Sequence, residues 1–293
     1  MRLFPVWAKE LDLGDVQLVG CDLPIHGERE RYREVVQRIK AGEHELGALI
    51  TTHKIDLFQS STDLFDRIDE NAALCGEVSC LSKQDGLLWA RATDPIAGGR
   101  TLGEFLPEDH WHKTSGEVLC LGAGGSAIAI TVFLVGRAAD AGGPARITLV
   151  DRNPARLDAI REIHARLNAK GKFDYVENFD PLVNDRLIDH LPLGSLVINA
   201  TGMGKDTPGS PITDSARFPE SGLVWELNYR GELQFLRQAL KQRDARRLQI
   251  EDGWRYFIHG WTTIIEEVFH LSIDQDQLSR LATLSETERP SRS

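Results

Sequence analysis

The chain has 293 residues, of which 41% are hydrophobic and 27% are charged, a composition typical of a globular protein with two domains of ordinary size. Its net charge of −10 excludes a broad basic surface for nucleic acid, and its longest apolar runs are too short to cross a bilayer. The first residues lack the basic and apolar segments of a secretion signal, so we expect a cytoplasmic protein with neither a nucleic-acid nor a membrane partner.

The first ninety residues alternate strand-like and helical segments. Residues 16–20 and 46–50 are short apolar runs, whereas residues 28–40 and 55–71 have the residue pattern of helices. Such alternation predicts an α/β layer. A cluster of glycine and proline follows at residues 94–99, and it predicts a hinge before a second domain.

The alternation resumes in the second half of the chain and predicts a parallel sheet with helices between its strands. A last helical segment is predicted at residues 254–271, and we expect it to pack on the first domain. The strands of the second half are predicted at residues 117–121, 147–151, 195–200 and 222–227.

The cysteines show no C-x-x-C spacing and no paired histidine ligands. We therefore expect reduced thiols in the core, and we predict no metal site. The four cysteines are Cys21, Cys75, Cys80 and Cys120.

The sequence EVLCLGAGGSA, residues 117–127, is the most specific signal in the chain. An apolar strand leads into Gly122, Gly124 and Ala127, which fill the three small positions of a G-x-G-x-x-G/A turn, and a helical segment follows from Ser126. The helix N-terminus would hold a pyrophosphate, and Asp151 at the end of the next strand would accept the hydroxyls of a ribose. The alternative is a glycine turn in an ordinary βαβ unit.

Seven segments, taken in chain order, resemble the shikimate/quinate dehydrogenase family over nearly the whole chain. In the first half, GALITTHK ending at Lys54 resembles N-x-T-x-P-x-K, CGEVSCL (75–81) resembles G-A-V-N-T, and ATDPIAG (92–98) resembles N-T-D-G-x-G. In the second half, GAGGSA is the nucleotide turn, VINATGMG resembles N-A-T-x-x-G-M, WELNYRGELQFL resembles D-x-x-Y-x-P-x-x-T-x-x-L, and EDGWRYFIHG stands where the family has D-G-x-x-M-L-x-x-Q.

The resemblance implies two α/β domains that flank a cleft. Residues 1–98 with 252–293 would form the substrate domain, and residues 99–251 would form a Rossmann-type domain that binds NAD(P). The family's catalytic lysine and aspartate match Lys54 and Asp94. The resemblance therefore implies a dehydrogenase of a cyclic hydroxy acid, present as a monomer or homodimer. Taken singly, Lys54 could be a solvated residue and Asp94 a cap before Pro95.

The resemblance also implies contacts for the cofactor and the substrate. Small and apolar groups of the later loops would line the nicotinamide, and polar groups would meet the substrate. The cofactor residues are Gly122, Ala123, Gly124, Gly125, Ser126, Ala127, Asp151, Arg152, Thr201, Gly202, Met203, Leu227 and Gly253. The substrate residues are Ser79, Tyr229 and Gly260, although Tyr229 could instead be a buried aromatic of a loop.

The chain departs from the family pattern on the substrate side. The family's Ser-x-Ser, which binds the substrate carboxylate, is missing from GCDLPIHGERERY, and Ala48 and Ile50 replace an asparagine and a threonine. Ser79 stands for an asparagine and Gly260 for a glutamine. Each lost partner of a buried hydroxyl costs about 1–3 kcal/mol. We therefore expect a substrate that is related to shikimate but different from it, a hydroxy acid or a cyclic polyol.

Three arginines follow the altered loop. One of them could replace the serines as a carboxylate clamp, or all three could belong to a solvated helix face balanced by Glu28, Glu30 and Glu34. The arginines are Arg29, Arg31 and Arg33.

The segment Asp151-Arg152-Asn153 bears on the choice between NAD and NADP. Asp151 would repel a 2′-phosphate and therefore favours NAD, whereas the guanidinium of Arg152 could pair with that phosphate. We expect NAD, with NADP as a possible second cofactor.

Two alternatives to this dehydrogenase stay open. A dinucleotide- or metabolite-sensing protein without catalysis would share the fold, but it would not need both Lys54 and Asp94. The methylene-tetrahydrofolate dehydrogenase architecture also pairs a nucleotide domain with a lysine, but the chain lacks a convincing Tyr-x-x-x-Lys.

Overall fold

The computed structural model describes residues 2–24, 26–167 and 172–290. The chain forms two compact units, one made of Met1–Asp94 with Ile258–Arg289 and the other chiefly of Pro95–Phe257. The functional domains predicted from the resemblance, with boundaries at residues 98 and 252, stay a prediction.

The first unit contains a four-stranded sheet with the order β1-β3-β4-β2. The strands β1 and β3 are antiparallel, β3 and β4 form an antiparallel hairpin, and β2 runs parallel to β4. The strands are β1 (Gly47–Leu49), β2 (Arg67–Ile68), β3 (Cys80–Gln84) and β4 (Leu87–Arg91). The helices are α1 (Leu3–Glu10), α2 (Arg29–Ala41), α3 (Lys54–Ser61), α4 (Glu70–Cys75) and α13 (Gln275–Ser285).

Turn chemistry fixes the register of the hairpin. Asp85 and Gly86 both have positive φ, 53° and 75°, which makes a two-residue turn whose twist matches the flanking strands. Tyr32 and Val36 of α2 then pack into an apolar core with Leu57 of α3 and Leu81 of β3. The helices α2 and α3 and the strand β3 thus share one core. A hydrogen bond from the N–H of Val78 to the carbonyl of Lys54 holds the start of α3 beside the loop before β3.

The second unit contains six parallel strands in the order β10-β9-β8-β5-β6-β7. The strands are β5 (Val118–Leu121), β6 (Ile147–Asp151), β7 (Phe173–Glu177), β8 (Leu196–Asn199), β9 (Leu223–Glu226) and β10 (Gln249–Glu251). The order is that of the doubly wound dinucleotide-binding fold, with the switch point between β5 and β8. The predicted α/β class and Rossmann-type unit are therefore confirmed.

Helices connect the strands of this unit. The central strands β5, β8 and β9 are buried along their whole length, as their continuous apolar sequences require. The helices are α5 (Asp94–Phe105), α6 (His110–Thr114), α7 (Gly125–Ala141), α8 (Pro154–Arg166), α9 (Pro181–Asp189), α10 (Gln234–Leu240), α11 (Arg243–Arg246) and α12 (Gly253–Phe269). The predicted helix at residues 254–271 corresponds to α12, whose residues from Ile258 onward belong to the first unit.

Three local predictions were wrong. Residues 16–20 form no strand, and Val19 is 79% exposed, because an apolar run becomes a strand only where it finds a partner. Residues 55–71 do not form one helix: α3 ends at Ser61, and a 3-10 turn and β2 follow. Cys21 is exposed, whereas the other three cysteines are buried as predicted; all four are free thiols.

The glycine and proline cluster at residues 94–99, where the sequence predicts a hinge, is helical, and the division between the two units falls at its start. These residues form the first turns of α5, where a proline is tolerated because the amides of the first turn need no partner within the helix. A Cβ on Gly99 would lie 2.2 Å from the Phe133 ring of α7. The glycines therefore allow two helices to pack closely.

Among the described residues, no helix is both long and apolar enough to cross a membrane. Within the same residues, no group of three or more His, Cys, Asp or Glu side chains is arranged to hold a metal ion.

Candidate active site

Lys54 and Asp94 form an ion pair in the first unit. Lys54 is the first residue of α3, and its Nζ donates a hydrogen bond to Oδ2 of Asp94 at the start of α5. The side chains are 23% and 13% exposed. The pair is thus shielded from most solvent, yet it remains accessible to a small molecule.

The pair keeps the lysine charged. Burial lowers the pKa of Lys54, but the charges of Asp94 and Glu77 and the hydrogen bond to Asp94 raise it more, so that it lies above its ordinary value. At neutral pH the ammonium therefore carries its proton and can donate it to an oxygen.

Glu77 is a third ionisable group of this cluster, and the motif comparison did not identify it. It follows Gly76, whose left-handed backbone (φ 65°) ends α4, and it is only 2% exposed. Its neighbour Val78 donates its N–H to the carbonyl of Lys54 at 3.1 Å, which fixes this loop against the start of α3. Burial raises the pKa of Glu77 to about 7, Lys54 lowers it, and Asp94 raises it.

Ser79 is fully buried, and its hydroxyl is engaged with protein groups. Its Oγ lies 2.9 Å from the hydroxyl of Thr93 and accepts the N–H of Thr93 at 2.7 Å. These bonds join the residue before β3 to the residue before Asp94. The role of Ser79 as a substrate contact stays a prediction.

Two of the three arginines after the altered loop are engaged with the end of α3. Arg33 makes a two-pronged ion pair with Asp63 and donates to the carbonyl of Ser60, and Arg29 donates to the same carbonyl at 3.2 Å. These bonds favour a structural role for both guanidinium groups over a carboxylate clamp.

The glycine turn of the second unit is formed as the sequence predicts. Gly122 has φ 109°, and a Cβ there would lie 2.7 Å from the carbonyl oxygen of Ala200. A Cβ on Gly124, by contrast, would have no heavy atom of the described residues within 4 Å apart from its chain neighbours. Gly125 and Ser126 begin the 17-residue helix α7, and Ala127 is fully buried. The open side at Gly124 fits a phosphate group at the helix N-terminus.

Asp151 ends β6 beside this turn. Its Oδ2 accepts the N–H of Ala123 at 2.8 Å, and its Oδ1 accepts the N–H of Asn153 at 2.8 Å. A guanidinium nitrogen of Arg156 lies 4.0 Å from Oδ2, and Arg152 is exposed. The Asp151 carboxylate therefore holds the turn in position. Arg152 follows it in the sequence, and Arg156 lies near it in space.

A buried polar network, which the motif comparison missed, orders the loops after β8 and β9. Glu226 accepts the amide of Asn199 and the N–H of Asn228, both at 2.8 Å. Asn199 in turn accepts the hydroxyl of Thr201 at 2.6 Å, and Asn228 donates to the carbonyls of Thr201 and Met203. The signal in the sequence was a polar residue at the end of each apolar strand. Gly202 lies between Thr201 and Met203 and is positioned with them.

Burial raises the pKa of Glu226 to about 8, although its hydrogen bonds to Asn228 and Asn199 lower it. The carboxyl is fully buried. Burial therefore favours the protonated form of this carboxyl, and the hydrogen bonds that it accepts favour the ionised form.

The remaining predicted residues lie near the end of β9 and in α12. A Cβ on Gly253 would lie 2.0 Å from the carbonyl oxygen of Leu227, so only glycine permits this approach. Tyr229 packs against Phe257, with 4.9 Å between ring centroids, and against Trp254. A Cβ on Gly260 would meet no described heavy atom within 4 Å outside its own helix backbone. Gly260 thus leaves space that a larger side chain would occupy.

The six parallel strands and the glycine turn define a class: a protein with a Rossmann-type dinucleotide-binding unit. No family model matches the chain. The shikimate dehydrogenase (NADP(+)) of Streptococcus gordonii is 30% identical over 235 residues, which cover 79% of this chain and 75% of the relative. The chain therefore belongs to the shikimate dehydrogenase family, whose members are NAD(P)-dependent oxidoreductases acting on CH–OH groups.

Solved structures share the fold. A shikimate dehydrogenase in complex with NADP+ gives a TM-score of 0.70 at 20% identity, with 96% of this chain and 88% of the other covered. The quinate dehydrogenase from Corynebacterium glutamicum in complex with NAD gives a TM-score of 0.70 at 21% identity, with 98% and 94% covered.

Proposed function

We propose that the protein transfers hydride reversibly between a secondary alcohol of a cyclic hydroxy acid and a nicotinamide dinucleotide, with Lys54 as general acid and base. The observation that carries this proposal is the partly buried ion pair of Lys54 and Asp94 in a chain of this family. The relatives named above act on shikimate or quinate.

The proton chemistry follows from the charge state of the pair. A nicotinamide, when bound, accepts or supplies the hydride. In ketone reduction, the Lys54 ammonium donates a proton to the carbonyl oxygen as hydride reaches the carbonyl carbon, which gives the alcohol and a neutral amine. In alcohol oxidation, the neutral amine takes the hydroxyl proton as hydride leaves the carbinol carbon. Asp94 orients the amine and stabilises the ammonium in both directions.

The glycine turn supports binding of the dinucleotide by the second unit. Gly122, Gly124 and the amides that begin α7 would hold the phosphates, and Asp151 would accept a ribose hydroxyl. The ordered loops at Thr201 to Met203 and at Leu227 would contact the nicotinamide. We propose NAD as the preferred cofactor because the negative charge of Asp151 opposes a 2′-phosphate, with NADP as the second.

We also propose that the best substrate differs from shikimate. The substrate-side departures support this: Ser79 uses its hydroxyl on Thr93, and Gly260 offers no polar side chain. Tyr229 would complete the substrate contacts.

The test is a substrate panel with purified protein. Shikimate, quinate, other cyclic hydroxy acids and cyclic polyols are each incubated with NAD+ or NADP+, and reduced cofactor is followed by absorbance. We expect turnover of at least one compound, faster than of shikimate, and turnover lower by about 10²–10⁴-fold with the Lys54→Ala variant. Dinucleotide binding without turnover of any compound would favour the sensing protein, and shikimate as the best substrate would refute the proposed difference in specificity.

A further inference from the structure

Three ionisable side chains meet at the start of α3 and α5, although the proton chemistry uses only two of them. Lys54 and Asp94 pair directly, and Glu77, in the loop after α4, interacts electrostatically with both. Val78, the residue after Glu77, bonds to the carbonyl of Lys54, so the loop that carries Glu77 is attached to the helix that carries the ammonium.

The position of Glu77 excludes direct contact with a substrate. Its side chain is buried, and Oε1 makes no hydrogen bond with any part of the chain that the structure describes. An unpartnered carboxylate oxygen in the interior is costly unless a charge compensates it or the group takes up a proton. The groups that act on Glu77 are Lys54 of α3 and Asp94 of α5, while Cys75 of α4 is a neighbouring thiol.

The charges of the cluster do not balance when every group is ionised. One ammonium and two carboxylates leave a net charge of −1 in a shielded site, and one proton on Glu77 restores neutrality. Cys75 adds no charge, because burial and the nearby carboxylates raise the pKa of its thiol to about 12. Burial raises the pKa of Glu77 to about 7, so Glu77 is a group on which this proton would reside.

We propose that Glu77 is a positioning residue that sets the proton affinity of Lys54 through its own charge. Neutral Glu77 leaves Lys54 paired with Asp94 alone, and the ammonium is then the stronger acid. Ionised Glu77 adds a second negative charge, which makes Lys54 hold its proton more tightly. This inference rests on the proposed role of Lys54 as general acid and base.

The first experiment measures kcat/KM for ketone reduction from pH 5.5 to 9, with the ketone of the best panel substrate. In the wild-type protein we expect a fall of about threefold through pH 7 and then a plateau, because a tenfold weaker acid transfers its proton about threefold more slowly. Glu77→Gln keeps the shape and removes the charge, so this step should disappear. Glu70→Gln, at an exposed glutamate of α4, is the matched control and should keep the step.

The second experiment does not depend on activity. Carbon-detected NMR of protein labelled at the glutamate carboxyl carbons follows the titration of Glu77, assigned by the signal that is lost in Glu77→Gln. We expect a midpoint near pH 7 in the wild-type protein and a higher midpoint in Lys54→Met, since the ammonium lowers the pKa of Glu77. Glu77→Ala provides a second assignment if the glutamine variant does not fold.

The outcomes separate the two proposals. A titration midpoint of Glu77 below pH 5, or a midpoint that does not move in Lys54→Met, would overturn the proposed role of Glu77, whether or not any compound is turned over. Superimposable pH profiles of the wild-type protein and Glu77→Gln would overturn it as well. If no compound of the panel is turned over while the NMR titration behaves as expected, the proposed function fails and the coupling of Glu77 to Lys54 stands.

Discussion

The glycine turn (residues 122–127) and the lysine cluster (Lys54, Asp94 and Glu77) are built in opposite ways. The turn is specified by missing side chains: Gly122 is required because a Cβ would strike the carbonyl of Ala200, and Gly124 leaves its side of the turn open. The cluster is specified by side chains whose charges act on one another, namely Lys54, Asp94 and Glu77. A site built from backbone tolerates few substitutions but is insensitive to pH, whereas a site built from charges responds to every change in protonation.

The largest expected effect is at the lysine cluster. Lys54→Ala should lower kcat/KM by about 10²–10⁴-fold, the usual contribution of a general acid or base. The dissociation constant of the dinucleotide, measured by fluorescence, should change little. Lys113→Ala is the control, because Lys113 also pairs with an aspartate (Asp109, 2.6 Å) but is 71% exposed. Equal losses of activity in both variants would contradict the special role of Lys54.

Substitutions of the two glycines of the turn should have different effects on stability and on dinucleotide binding. Gly122→Ala forces a side chain into a backbone with φ 109° and against Ala200, so we expect a loss of stability of about 1–3 kcal/mol as well as weaker dinucleotide binding. Gly124→Ala has open space and should unfold like the wild-type protein, but its methyl group should weaken binding of the phosphates about tenfold or more. Calorimetry and denaturant unfolding measure the two quantities. Unchanged affinity in Gly124→Ala would show that no phosphate approaches there.

The preference for NAD or NADP tests whether a charged side chain also determines binding in the second unit. Asp151→Asn removes the negative charge near the expected 2′-position and keeps one acceptor for the N–H of Ala123. We expect the ratio of kcat/KM for NADP to that for NAD to rise about tenfold, the effect of about 1.4 kcal/mol. Asp158→Asn, on an exposed part of α8, should leave the ratio unchanged. No change in Asp151→Asn would remove Asp151 from the explanation of cofactor preference.

The network at Glu226 should make stability depend on pH. Burial raises the pKa of Glu226 from its ordinary value of 4.5 to about 8 in the folded chain. The contribution of this carboxyl to the free energy of unfolding is therefore complete below pH 4.5 and is lost as the pH rises through 8. In this window stability should fall by about 1.4 kcal/mol per pH unit from this group. Thermal unfolding between pH 6 and 9 measures the fall. Glu226→Gln should flatten it, and Glu220→Gln, at an exposed glutamate, should not.

The smallest expected effect concerns Gly260. Gly260→Ala should stabilise the chain by about 0.5–1 kcal/mol, because alanine is the better helix residue and its Cβ meets open space. Gly253→Ala in the same helix should destabilise it, since its Cβ would overlap the carbonyl of Leu227. Denaturant unfolding compares the two variants. In addition, Gly260→Gln should lower KM for shikimate if the altered substrate side excludes that acid.

The glycine turn was easier to predict from the sequence than the complete lysine cluster. The turn depends on residues 117–127 and on a strand end nearby, so its signals are local, and β5, β6, β8 and β9 lie where the apolar runs indicated. Glu77 could not be found this way. A glutamate between Gly76 and Val78 has the pattern of a solvated turn, and only the packing of α3 and β3 shows that it is buried.

The same distinction explains the errors of the sequence analysis. Residues 16–20 have the composition of a strand, but pairing depends on a partner distant in the chain. Gly98 and Gly99 have the composition of a hinge, whereas in the structure they lie within α5 and permit its close packing on Ile130 and Phe133. Burial and long-range contact, rather than local residue type, decided each of these cases.

A crystal structure of the chain with a nicotinamide dinucleotide and the ketone or alcohol it turns over tests the central claim most directly. We predict that Nζ of Lys54 lies within about 3.2 Å of the reacting oxygen and remains paired with Asp94. A reacting oxygen bonded to some other proton donor, with Lys54 turned away from it, would contradict the account.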